Sequence, residues 1–355
     1  MFLLTLSRVK IVFGIIIVCL LVQSFYYHDY YNLMTTRQQC VPSTKFEPKP
    51  ELEPRADFSN SITMVNNKIQ TNALKNNYVN LLNLALCPKI LPVLNETFRL
   101  LVPTKEKLED VALQLSQLRI LEGGHQMPLD CEARHKIAIL VPYKNRFSNL
   151  CSLLLNLHPF LTKQKLDYTI FVIEQFNDGP FNRGKLLNIG YTEALKFNNY
   201  ECFYFHDVDL IPMNNSNFYD CSDRPKHMAV AIDKKKSRMP YSDYFGGVTS
   251  MNRTHFKLIN GFSNIFWGWG AEDDDLFNRV KAHKLNYTRC PHDFGHYHSL
   301  SHDIQEKNKE RQKYLELGYL RYNTDGLNSL NYQVKALKKL PLFTYILADL
   351  AEKHR

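Results

Sequence analysis

The sequence predicts an α/β fold: a mainly parallel mixed sheet flanked by helices, in one domain. Three observations carry that expectation. Short apolar runs at 137–142 (IAILVP), 168–174 (YTIFVIE) and 203–206 (FYFH) have the length and the β-branched or aromatic content of buried strands. Amphipathic stretches at 147–161 and 183–197 separate them, and strands alternating with helices imply a parallel sheet covered on both faces. A length of 355 residues, 45% of them hydrophobic, suffices for one large domain plus appendages.

The appendages come first. Residues 11–22 are apolar and uncharged, and aromatic residues extend the stretch to Tyr27. Leu3, Leu4 and Leu6 upstream bring it near the roughly 20 residues that cross a bilayer. Arg8 and Lys10 precede it and favour a cytoplasmic N-terminus. No small-x-small cleavage site follows, so the expectation is a cytoplasmic tail at 1–10 and an uncleaved transmembrane anchor at 11–27, the alternative being a removed signal peptide. Residues 28–80 lack periodicity and hold Pro42, Pro48, Pro50 and Pro54 before an Asn-rich stretch, the composition of a flexible stem. The domain proper, 81–355, is then lumenal. Glycosylation sequons at Asn95, Asn214, Asn252 and Asn286 agree with that address. Of the eight cysteines, Cys19 lies in the anchor, which leaves an odd number for an oxidising compartment. The net charge of +9 is spread along the chain, densest at Lys234, Lys235 and Lys236, and no basic stripe with aromatic context makes nucleic acid an expected partner.

Both tryptophans fall in one segment, 267–275 (WGWGAEDDD). Four consecutive carboxylates repel one another, and aromatics beside glycines sacrifice backbone rigidity. Acidic residues do suit the first turn of a helix, here one running to about His283. Four of them exceed that need, and WGWG has no capping role. The segment reads as a ligand site: an aromatic face for a sugar ring and carboxylates for hydroxyls.

Asp207 and Asp209 lie just beyond the third strand, where ligands gather in such sheets. Alternate residues of an extended segment share a face, so both carboxylates can serve one hard divalent cation and the diphosphate it neutralises. His296, His298 and His302 cluster downstream, and a mixed Asp/His set suits manganese better than a closed structural zinc site. Arg183 and Lys185 stand in the first turn of a helix, either as a solvated helix start or facing a phosphate. Residues 241–248 set aromatics beside Gly246 and Gly247, a pair that permits close approach of a ligand or marks a bulged strand.

Five segments now carry a resemblance: 181–191 (FNRGKLLNIGY), 205–212 (FHDVDLIP), 244–251 (YFGGVTSM), 267–279 (WGWGAEDDDLFNR) and 325–334 (DGLNSLNYQV). In order and at fitting intervals, from about Cys87 to the C-terminus, they resemble the β-1,4-galactosyltransferase family. The resemblance implies a GT-A-type nucleotide-sugar fold, a single-pass type II Golgi anchor, Mn2+ as cofactor, and inverting transfer of galactose from UDP-galactose to the 4-hydroxyl of a terminal GlcNAc on glycoprotein or glycolipid. Position by position, it implies Asp209 and His302 as metal ligands and Asp273 as catalytic base. The family often has methionine three residues before that histidine; here Ser299 departs from it, with His298 beside it as a substitute. Donor contacts are implied for Pro142, Tyr143, Asn145 and Arg146 (the PYKNR run), Phe181, Arg183, Asp207, Tyr244, Gly247 and Trp269. Acceptor contacts are implied for Tyr241, Gly270, Glu272, Asp273 and Asp274. Trp269 matches the tryptophan of a mobile loop. The implied disulfides join Cys87 to Cys131 and Cys202 to Cys221, leaving Cys40, Cys151 and Cys290 unassigned.

Tyr244 bears on donor choice. The resemblance implies that a bulky residue there crowds the 2-position of the donor sugar, favouring galactose over N-acetylgalactosamine by steric exclusion. The competing readings are a β-1,4-N-acetylgalactosaminyltransferase, a xylose-directed galactosyltransferase, an inactive lectin-like protein, and a membrane-tethered adhesion protein. Tyr244 argues against the first, the 325–334 segment against the second, and the intact acidic and histidine positions against the last two.

Overall fold

The computed structural model describes residues 84–89, 99–103, 107–303 and 305–351, all within one compact unit that spans 76–355. The expected tail, anchor and stem, the first residues of the domain (81–83), and Cys40 and Asn95 lie outside the described residues.

In chain order the strands are β1 (His125–Gln126), β2 (Lys136–Tyr143), β3 (Asp167–Gln175), β4 (Cys202–His206), β5 (Leu210–Pro212), β6 (Lys226–His227), β7 (Ala231–Ile232), β8 (Val248–Asn252), β9 (Thr288–Arg289), β10 (His296–Ser299), β11 (Gln333–Lys339) and β12 (Thr344–Asp349). The α-helices are α1 (Leu108–Gln114), α2 (Phe147–Thr162), α3 (Arg183–Ala194), α4 (Arg253–Leu258), α5 (Glu272–Ala282) and α6 (Arg311–Glu316). Among the described residues a nine-stranded sheet runs β11-β12-β3-β2-β4-β8-β6-β9, with β1 paired beside β3. Its centre, β12-β3-β2-β4, is parallel as expected. Antiparallel strands β8 and β11 extend it, which makes the sheet mixed.

The central strands form because their residues fit a doubly covered sheet. Every residue of β3 and β4 is buried, and β2 exposes only Lys136. Strand β3 begins and ends one residue beyond the apolar run, at Asp167 and Gln175. Helix α3 starts where Asn182 caps it, the side-chain oxygen accepting from the Lys185 amide at 2.9 Å. It stops at Ala194, before Phe197, and packs on β2 and β3.

The 325–334 segment proves to be scaffolding. Asp325 accepts from the Ser263 hydroxyl and, at 2.9 Å, from the Asn264 amide, so it anchors the loop that leads into Trp267. Buried Asn188 holds the same loop from α3, accepting from the Phe262 amide at 2.9 Å and donating to Phe262 O at 2.8 Å. These contacts set where the WGWG segment leaves the core.

Both expected disulfides are formed, Cys87–Cys131 and Cys202–Cys221; Cys151 and Cys290 are buried thiols. Of the sequon asparagines, Asn286 is exposed, Asn252 caps α4 by accepting from His255 N at 2.8 Å, and Asn214 donates to Asp293 O at 2.9 Å.

Candidate active site

The site assembles beyond the carboxyl ends of the parallel strands, where their C-terminal loops meet. Strand β2 ends in the PYKNR run, with Asn145 in the left-handed region at φ 51°, a conformation asparagine tolerates, so the chain turns sharply and presents Arg146. Strand β4 ends at His206 and delivers Asp207 and Asp209. These two carboxylates do not share one face of an extended segment. Residues 207–209 form a turn, with Leu210 N reaching Asp207 O at 3.4 Å, and the carboxylates reach the site by turning rather than by alternation.

A second, three-stranded sheet, β5-β10-β7, brings the late histidine back. Strand β10 runs antiparallel to β5, with Ser299 opposite Leu210, and Leu300 N donates to Asp209 O at 2.8 Å. Continuing that register places His302 against Asp209: Nε2 lies 2.9 Å from Oδ2. The His302 Nδ1 donates to Asp303 O at 2.8 Å, which orients the ring so that Nε2 faces the carboxylate. A proton shared between Nε2 and the carboxylate accounts for this contact, and displacing that proton leaves a nitrogen and an oxygen facing one point as donors to a cation. The spacing is also that of adjacent ligands around a small octahedral cation, about 3 Å for bonds of roughly 2.1 Å. The pair therefore fits a hard divalent metal. Arg146 Nη1, 3.6 Å from the same Asp209 oxygen, supplies partial compensation. Burial, then Asp207, pushes the Asp209 pKa up, against the pull of Arg146 and His302.

His298 is not gathered with them. Its Nδ1 meets Asp233 Oδ2 at 2.5 Å, and Asp233 also accepts from the Ser299 amide at 3.0 Å. Among the described residues no group of three His, Cys, Asp or Glu side chains is poised around a metal.

The acidic run opens helix α5 without a side-chain cap; the residue before it, Ala271, sits at φ 76°, a left-handed conformation that costs an alanine about 1 kcal/mol. Each acid then does something different. Asp275 turns inward to fully buried Arg279 (2.7 Å) and is scaffold. Asp274 accepts from the Tyr241 hydroxyl at 2.6 Å. Glu272 approaches Arg183 Nη1 at 3.7 Å, and Arg183 Nε donates to Asp207 at 2.6 Å. Arg183 is thus an internal cation linking the acidic helix to the β4 carboxylates, not a solvated helix start. Burial opposes its charge, but Asp207, Glu272 and Asp273 hold it protonated. Burial and then Asp273 push Glu272 up to about 8; burial and then Asp274 push Asp273 up to about 6. Near neutral pH, Glu272 holds a proton that it can donate while Asp273 can accept one.

Glu272 retains its proton at higher pH folded than unfolded, so its contribution to stability falls as pH rises from about 4.5 to about 8. We expect Glu272→Gln to melt higher than the parent at pH 8, by several degrees or roughly 1–2 kcal/mol, with the gain shrinking toward pH 5. A gain that does not vary with pH contradicts the assignment.

Asp273 rests against Gly246. A Cβ on Gly246 would overlap Asp273 Oδ2 and come 2.9 Å from Tyr244 Cε2. The corner is fixed from behind: His227 Nε2 donates to Gly246 O at 3.0 Å, and its Nδ1 accepts from Arg289 Nη1 at 2.6 Å. Segment 241–247 is therefore a loop leading into β8, not a bulged strand. Trp269 is half exposed, and Arg311 and Lys307 lie 5.0 and 5.9 Å from its ring centre. Gly270, at φ 109°, leaves room for the Arg311 guanidinium, which a Cβ would meet at 2.7 Å.

The model for the N-terminal region of glycosyl transferase group 7 matches residues 87–222, and that for the N-terminal domain of galactosyltransferase matches 226–303. The chain is 44% identical over 269 residues to β-1,4-galactosyltransferase 4 of Rattus norvegicus, covering 75% of this chain and 77% of the relative. It belongs to the β-1,4-galactosyltransferase family. Identity to β-1,4-galactosyltransferase 1 of Homo sapiens is 42% over 272 residues, 76% of this chain and 68% of the relative. The catalytic domain of Drosophila β-1,4-galactosyltransferase 7, in complex with xylobiose, superposes with a TM-score of 0.54 at 28% identity, covering 62% of this chain and 95% of that one. A mutant of the same Drosophila enzyme, complexed with manganese, UDP-Gal and xylobiose, superposes equally well, at 29% identity.

This galactosyltransferase thus has the expected GT-A-type fold, and its five motifs divide between site and scaffold. Asp233 and Arg311 brace the site without having been singled out in the sequence. Gly246 was legible as half of a double glycine. Lys235 had no signal beyond membership of a basic triplet.

Proposed function

We propose that this galactosyltransferase moves galactose from UDP-galactose to the 4-hydroxyl of a terminal GlcNAc, using a divalent cation, Mn2+, held by Asp209 and His302. The observation that carries the reading is the Asp209–His302 contact, a carboxylate oxygen and an imidazole nitrogen 2.9 Å apart at the strand ends. When bound, the cation neutralises the diphosphate and stabilises UDP as leaving group by Lewis acidity.

The remaining work falls to the chain. Asp273 takes the proton of the acceptor 4-hydroxyl; that oxygen attacks the anomeric carbon from the face opposite UDP, and the carbon–oxygen bond to UDP breaks with its electron pair. The product is inverted at that carbon, and Asp273 releases its proton to solvent. Protonated Glu272 donates to an acceptor hydroxyl, and Asp274, oriented by Tyr241, accepts from another. Arg183 stays paired with Asp207 and so holds the carboxylates of two elements in one constellation. Tyr244 and Gly247 border the donor sugar, and Pro142, Tyr143, Asn145, Arg146, Phe181 and Asp207 the nucleotide. Trp269, between Gly268 (φ 82°) and Gly270, belongs to a segment that closes over the bound donor and completes the acceptor site. The proposed setting is the Golgi lumen, with residues 1–10 as cytoplasmic tail, 11–27 as anchor, 28–80 as stem and 81–355 as catalytic domain.

The test is transfer by the purified protein from UDP-galactose to GlcNAc and, in parallel, to a β-xyloside. We expect a β-1,4-linked product on GlcNAc, loss of activity with EDTA, and recovery on adding Mn2+. Preference for the xyloside sinks the acceptor assignment, and full activity in EDTA sinks the metal.

A further inference from the structure

Lys235 belongs to a single turn, Asp233–Lys235, that follows β7. Its neighbour Lys234 turns away and donates to Leu300 O at 2.6 Å. The Lys235 residue is exposed as a whole, yet its ammonium reaches inward: Nζ lies 3.2 Å from the Tyr244 hydroxyl and 4.2 Å from the centre of the Tyr244 ring. Burial of the ammonium pulls its pKa down, while Asp273, Asp207 and Asp209 act in the opposite direction.

Tyr244 is otherwise constrained mostly by shape. Tyr241 and His227 meet its ring edge-on at 5.6 and 5.4 Å, and Arg289 holds its backbone carbonyl at 2.6 Å. These contacts hold the ring and the backbone, while at the hydroxyl end Gly246 and Gly247 offer no side chain to brace it. Among the described residues, the Tyr244 hydroxyl takes its hydrogen bond from Lys235. A charge-assisted bond plus a cation–π contact to the same ring fixes that end.

We propose that Lys235 is a specificity-determining positioning residue: it pins the Tyr244 hydroxyl so that the phenol stays against the 2-position of the donor sugar. A gate excludes a larger substituent only while it cannot yield, so the exclusion attributed to Tyr244 depends on this second side chain. The inference rests on the reading of Tyr244 as that gate.

The experiment measures kcat/KM for UDP-galactose and UDP-N-acetylgalactosamine in the full chain and in Lys235→Met, Lys235→Arg, Tyr244→Leu and the double variant Lys235→Met/Tyr244→Leu. We expect Lys235→Met to lower the galactose-to-N-acetylgalactosamine ratio by about tenfold, the scale of one charged hydrogen bond. The change should come chiefly from faster use of UDP-N-acetylgalactosamine, and Lys235→Arg should restore the ratio. In the Tyr244→Leu background Lys235→Met should leave the ratio unmoved, because there is no phenol to pin. If Tyr244→Leu relaxes the ratio and Lys235→Met does not, the inference falls while the gate stands. If Tyr244→Leu itself leaves the ratio unchanged, both fall together. An equal loss with both donors overturns the inference as well, since it assigns Lys235 to the diphosphate common to them or to the fold.

Discussion

Asp273→Asn is expected to lower kcat by about 10³-fold, with the affinity for UDP in the presence of Mn2+ changing less than about twofold. The substitution keeps the size of the side chain and its contact with the Asp274 amide (3.0 Å), and removes only the capacity to take a proton. General-base catalysis contributes roughly 10² to 10⁴, and here no second carboxylate stands ready, since Glu272 is protonated and Asp274 is bonded to Tyr241. The pH profile gives an independent reading. Asp273 works deprotonated, and its pKa is about 6, so kcat/KM for the unmodified protein should fall about tenfold per unit as pH drops below about 6. The residual activity of Asp273→Asn should lack that limb. Substantial transfer by the variant, or an acid limb that survives in it, would remove Asp273 from the role.

Gly246→Ala reaches the same carboxylate from the other side. The added Cβ would occupy the space of Asp273 Oδ2, so either the carboxylate moves or the loop shifts with Tyr244, whose ring edge is 2.9 Å from the new atom. Gly246 has no left-handed φ to lose, and the effect is therefore steric displacement at the site rather than backbone strain. Displacement by about an ångström costs roughly 10²-fold in rate, so kcat should fall at least that far while the melting temperature moves by only a few degrees. Gly247, at φ 79°, behaves differently: substitution there strains the backbone and costs stability first. A Gly246→Ala protein with normal kcat would mean that Asp273 does not need the position it occupies.

The two substitutions bracket what could be read from the chain. The central strands and the helices between them were legible because local apolar pattern and burial agree: 168–174 is apolar since both faces of β3 are covered. The acidic helix was legible as a helix and as a site, but not its division of labour. Nothing in four adjacent acids says that Asp275 turns to Arg279 while Asp273 meets Gly246; that depends on the rotation of α5 against the core. The DVD segment shows the same limit. Two aspartates two apart suggested an extended stretch, whereas a turn brings both to the site, because β5 leaves the main sheet at once to pair with β10. His298 illustrates the converse. Proximity in sequence to His302 implied proximity to the metal, but strand β10 lays it against Asp233.

By itself the sequence determined the alternating order of strands and helices, the cysteine pairs implied by its family resemblance, the tyrosine beside a double glycine, and the acid and histidine types that a metal-assisted transfer demands. These are local or compositional properties, fixed by side-chain chemistry and short spacings. Only the tertiary structure decided that Asp209 and His302, separated by most of a hundred residues, meet at 2.9 Å, that Arg183 couples two acidic elements, and that a surface lysine bends inward onto Tyr244. The physical reason is that each such contact is set by strand register and by the angle at which elements pack, which depend on the whole core and leave no periodic trace in the residues that make them.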